Sequence, residues 1–162
     1  SAARTFNKSL VERRIMHSTL AAALAGAASA VFFLFSTIGE PVMAQSIEMR
    51  IGEKTFPIEL NGNDAARSFA SRLPVKLQFE DFGRTERIAY LNPKLEVGDA
   101  PTHTNPVTGD ITYYIPWGNI AVFVRDFRPS ESLVPLGRLT EEARRAIAES
   151  GDKVVEFRRA GN

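Results

Sequence analysis

The chain has 162 residues with 20 Lys+Arg against 19 Asp+Glu; four of the basic and two of the acidic residues precede Gln45, which leaves 16 against 17 beyond it. That balance carries no electrostatic footprint for nucleic acid. The absence of cysteine excludes a disulfide framework, a thiol nucleophile and a thiolate metal site, so the length after residue 44 must serve one domain resting on its hydrophobic core.

In chain order the first element is a leader. Arg13 and Arg14 precede a run from Ser18 to Gly39 without a charged residue, the basic and apolar regions of a secretory signal. Val42-Met43-Ala44 puts small side chains where a signal peptidase reads, which predicts a cut between Ala44 and Gln45 and a periplasmic or secreted product. Two alternatives stay open. The run is also long enough to anchor the chain, since about 20 apolar residues span a bilayer, and residues 1–15 also read as an extension ahead of a start at Met16. The membrane is otherwise not a partner. Glu12-Arg13-Arg14-Ile15-Met16 lacks the Phe-Leu that follows a twin-arginine pair.

Ile47–Ile51 and Phe56–Leu60 alternate apolar and polar residues around Gly52-Glu53, which predicts a β-hairpin. Asn63 is placed to N-cap a short helix with Ala66, Phe69, Ala70 and Leu73 on one face, ended by Pro74. Val75, Leu77 and Phe79 alternate as a half-buried strand, and a further strand over Glu86–Leu91 follows the Gly83 turn. Asn92 to Gly109 reads as a long loop, with prolines and glycines and little apolar content. From Gly109 to Phe127 two apolar β-type runs flank a Pro116-Trp117-Gly118-Asn119 break and predict adjacent core strands. A polar turn at 128–132 leads to a strand over Leu133–Leu139, then to a helix opened by Thr140-Glu141-Glu142 and closed by Gly151. Lys153–Arg158 reads as a last strand or a tail. The predicted division is a leader over 1–44, a domain over 45–150 and a C-terminal strand or tail over 151–162.

Several of these segments, in this order, resemble the small bacterial cyclophilin-like family. Asn63–Phe69 is similar to the helix after the first cyclophilin hairpin, and Gly98-Asp99 to the Gly-Asp that follows the strand of the catalytic arginine. Pro116–Phe123 resembles the Asn-Gly-Ser-Gln-Phe-Phe segment, Leu133–Leu139 the His-Val-Val-Phe-Gly-Lys-Val strand, and Thr85–Leu91 a strand of the bacterial branch. The resemblance covers roughly Ile47 to Ile147 and implies a mainly β fold, a closed cyclophilin-like β-barrel with two short helices. It is closer to the bacterial branch than to true prolyl isomerases.

Prolyl isomerisation in cyclophilins uses an arginine on the barrel surface and an apolar pocket for the proline ring. Counted back from Gly98-Asp99, the arginine's position falls on Ile88, one residue from Arg87, and a slip of one along a strand reverses the face. Ala121 stands where an aromatic wall is expected and Leu133 where the family has a histidine. His103 is the sole histidine beyond the leader and has no second ligand nearby, so no metal site is expected. No cofactor is implied, and Ser130 and Ser132 lack the partners of a triad.

The expected function is therefore non-catalytic binding of an unidentified small ligand or peptide. The candidate surface is Arg87, Tyr90, His103, Trp117, Asn119 and Phe123, because irregular segments beside rigid strands gather binding groups. No catalytic residue is assigned. The alternative is a peptidyl-prolyl isomerase using Arg87 with Tyr90 and Phe123, and a third reading is an assembly partner in the cell envelope. The sequence leaves the oligomeric state open.

Overall fold

In a computed structural model, residues 44–161 are described; all of the expected leader but Ala44 lies outside them. The predicted hairpin forms as β1 (Gln45–Ile51) and β2 (Lys54–Leu60), turned at Gly52, whose φ of 61° suits glycine. Asn63 caps α1 (Asp64–Ser71) by accepting from the Ala66 N–H at 2.9 Å. β3 (Val75–Gln78) and β4 (Glu80–Phe82) follow, then β5 (Glu86–Tyr90). The long loop contains a two-residue strand, β6 (His103–Thr104), ahead of the central pair β7 (Asp110–Tyr114) and β8 (Asn119–Phe123). The polar turn contains β9 (Ser130–Glu131), which pairs with β6. β10 (Leu133–Leu139), α2 (Glu141–Ala148) and β11 (Val154–Arg159) complete the order.

Nine strands form one sheet in the order β3-β11-β1-β2-β10-β7-β8-β5-β4. The two outermost strands, β3 and β4, are consecutive in the chain and joined by Phe79 alone, so the backbone itself draws the edges together into a nearly closed barrel. The expected end of the domain at residue 150 is too early. β11 lies between β3 and β1 and pairs with both, because Val155 and Phe157 supply an inward face that a tail would leave in water.

The inward residues of the strands make one core with the apolar faces of both helices. Phe157 stands edge-on to Phe69 of α1, with ring centroids 5.5 Å apart. β10 carries a bulge between Pro135 and Gly137. Asn61 and Asn63 both donate from Nδ2 to the Pro135 carbonyl there, which ties the start of α1 to the bulge. Gly98 has φ 48°, and a Cβ on it would lie 2.3 Å from Asp64 Oδ2. That carboxylate accepts the Asp99 N–H at 2.7 Å, a bond that holds its pKa below the ordinary value. The Gly-Asp pair thus has a local physical reason: the glycine lets the turn close on the first turn of α1.

Candidate functional site

β8 is buried at every one of its five residues, which a strand facing a single core cannot achieve. Ile120 and Val122 enter the barrel core. Ala121 and Phe123 point to the other face, where with Ile88 and Leu133 they form a second apolar cluster carrying Tyr114 and Phe127. The segment after β8 folds back over this outer face. Asp126 accepts from the Thr108 N–H and hydroxyl, both at 2.8 Å, which lowers its pKa and pins the turn. Phe127 then comes to rest 6.0 Å from Phe123, and the β6–β9 ribbon extends the wall.

A pocket of about 370 Å³ opens between this folded-back segment and the sheet. Ile88, Phe123 and Leu133 line its base. Trp117 stands at one side, edge-on to Phe82 at 5.4 Å and to Tyr114 at 5.6 Å. The Trp117 loop is held by Lys94, whose Nζ donates to the Pro116 carbonyl at 2.9 Å. Glu86 lines the pocket from β5, and burial pushes its carboxyl pKa up. Arg128 lines it from the opposite segment, its guanidinium 4.6 Å from the centre of the Phe127 ring.

Of the six residues expected at a binding surface, Trp117, Asn119 and Phe123 line this pocket. His103 stays at its edge, 2.9 Å from Glu131, which is a lining residue. Tyr90 projects from the same face of β5 as Ile88 but is 55% exposed and outside the pocket.

Arg87 is the correction. It pairs with Val122 across β5 and β8 and shares the inward face, only 4% exposed. Its guanidinium donates to the Phe79 carbonyl at 3.1 Å, to Ser150 Oγ at 2.9 Å, to the Gly151 carbonyl at 2.7 Å and to Asp81 at 2.9 Å. Phe79 is the joint between β3 and β4, so Arg87 clasps the barrel's seam to the end of α2 and cannot reach a ligand on the outer face. The reversal of face at a one-residue slip places Ile88, not Arg87, on the pocket side.

Sequence reasoning missed Phe82, Glu86, Tyr114, Phe127 and Arg128 as pocket residues. For Glu86 a signal was present: it stands two residues before Ile88 and therefore shares its face. Among the described residues no three His, Cys, Asp or Glu side chains gather as a metal ion would require.

A model of the cyclophilin-like family matches residues 49–158 of the chain. Among solved structures, the solution structure of a hypothetical protein from Archaeoglobus fulgidus is similar, at 20% identity and a TM-score of 0.54, over 75% of this chain and 99% of that one. That likeness concerns the fold. No curated protein matches the sequence.

Proposed function

The chain belongs to the cyclophilin-like family, and from that premise we propose that it is an exported binding module that holds a small ligand or peptide segment in the outer pocket without covalent chemistry. The observation that carries this reading is the face of β5: an isoleucine, Ile88, is turned to the pocket, while Arg87 is spent on the barrel's seam. Twisting a prolyl amide means crossing a barrier of about 18–20 kcal/mol, and catalysis needs a donor fixed where charge shifts in the twisted amide. Among the described residues no guanidinium lines this pocket from the sheet beneath it. Its volume and its mixture of apolar walls with a few polar groups suit ligand binding.

A coupled cis–trans peptide assay tests the absence of catalysis; the expected rate is that of the uncatalysed peptide. Arg128 supports a second reading. As the guanidinium lining the pocket, it is the group an isomerase would have to use. Robust catalysis that disappears in Arg128→Ala and survives in Arg87→Lys would replace the binding module with that enzyme. For export, the expected mature protein begins at Gln45, and intact-mass measurement on protein recovered from the producing cell's periplasm or medium decides it against a full-length, membrane-bound form.

A further inference from the structure

Two acceptors in the pocket are left without hydrogen-bond partners among the described residues. Glu86 sits between Phe82 on β4 and Phe123 on β8, half-buried, with no hydrogen bond or ion pair to its carboxylate among the described residues. Asn119 is 2% exposed, and its Oδ1 has no hydrogen-bond partner, while its Nδ2 makes only a 3.3 Å contact to the Ile120 carbonyl. A buried acceptor without a donor is uncommon in folded proteins and asks for one. The walls beside these acceptors are aromatic, and ring faces attract cations. The pocket already shows that chemistry within the chain, in the Arg128 guanidinium on Phe127.

Resting on the reading of this pocket as a binding site, we propose that its ligand is cationic: an ammonium or guanidinium group on an apolar body, received by Glu86 and flanked by Phe82 and Trp117, with Asn119, at the other end of the paired stretch, open to a donor elsewhere on the ligand. The volume of about 370 Å³ admits a ligand of a single ring and a short chain. An anion would have Arg128 as its partner, but it would enter against the carboxylates of Glu86 and Glu131 and leave both free acceptors unmet.

Trp117 is the chain's single tryptophan and lines the pocket, so its emission and its indole N–H resonance report occupancy. The full chain is titrated with 3-phenylpropylamine, with the neutral 3-phenylpropan-1-ol and with the anionic 4-phenylbutanoate. The capped dipeptide N-acetyl-Phe-Arg-amide is added to separate a peptide side chain from a free amine as the source of the cation. The amine or the capped dipeptide is expected to bind at least tenfold more tightly than the alcohol or the carboxylate. Glu86→Gln is expected to remove that preference. Binding of the carboxylate as tightly as the amine, or an amine affinity unchanged in Glu86→Gln, overturns the cationic ligand and leaves the binding module standing. Failure of all four probes to perturb either Trp117 signal at millimolar concentration overturns both.

Discussion

The barrel interior and the outer pocket are built from the same two strands, β5 and β8, and differ in what they leave unfinished. On the inner face the apolar side chains are enclosed, and the one arginine among them makes four hydrogen bonds, with only its Nε unpartnered. On the outer face Phe82 and Trp117 are 45% and 49% exposed, and Glu86 and Asn119 Oδ1 lack partners. Unmet groups of this kind cost stability, and a fold keeps them where they meet something else. The interior serves closure; the pocket keeps open groups a ligand can satisfy. Substitutions on the two faces should therefore separate stability from binding.

The largest effect is expected inside. Phe157 is fully buried against Phe69 and Phe79, and Phe157→Ala should cost about 3–5 kcal/mol in urea unfolding through lost burial and the cavity left behind. Pocket binding by the fraction that remains folded should be unchanged.

Next comes Arg87→Ala, which strips the donors from two backbone carbonyls and from Ser150 at the barrel's seam. A buried acceptor left unmet costs about 1–3 kcal/mol, and water entering the emptied space offsets part of that, so a total loss of about 2–4 kcal/mol is expected. Wild-type stability together with lost ligand binding would return Arg87 to the functional site and end the distinction between the faces.

The contrast between Arg87 and Ile88 also marks how far the sequence can be read. The hairpin, both helices and their caps are legible because each has one apolar stripe and a local start or stop signal. β4 is not, since Glu80, Asp81 and Phe82 are all exposed and show no alternation. The two-residue strands β6 and β9 carry too little pattern to register. β8 ends at Phe123 although the apolar run goes on to Val124, and Phe127, beyond Arg125 and Asp126, belongs to the segment folding back on the outer face. The reversed face at Ile88 follows from strand periodicity alone. The pocket's makeup does not: Phe82 meets Trp117 only through sheet order, and Tyr114 and Phe127 meet Trp117 and Phe123 through a turn and a fold-back that no apolar periodicity encodes.

Trp117→Ala sharpens the comparison from the other side. Half-exposed and held by two edge-on aromatic contacts, Trp117 should contribute about 1–2 kcal/mol of stability, less than the ~3–5 kcal/mol of an enclosed aromatic. Binding followed by calorimetry should weaken at least tenfold. A loss of stability as large as that of Phe157→Ala would make Trp117 a plug of the barrel and not a wall of the pocket.

The smallest effects lie in the pH dependence and run in opposite directions at two glutamates. Burial raises the Glu86 pKa above 4.5 in the folded state, so folding favours its protonated form. Its contribution to stability is present below that ordinary value and is lost as pH rises through the raised folded one. Glu141, hydrogen-bonded by Arg144 and Arg145, has its pKa lowered from 4.5 to about 2, so its contribution is present above 4.5 and lost as pH falls towards 2. Urea titrations over pH should show Glu86→Gln gaining on the wild type as pH rises past 4.5, and Glu141→Gln losing its deficit only below it. The pocket adds a linked effect. A bound cation favours the ionised Glu86, so amine affinity should rise with pH through the Glu86 titration and then level off, a rise absent from Glu86→Gln. An amine affinity flat with pH in the wild type would mean that the cation does not sit beside Glu86, whatever else the pocket holds.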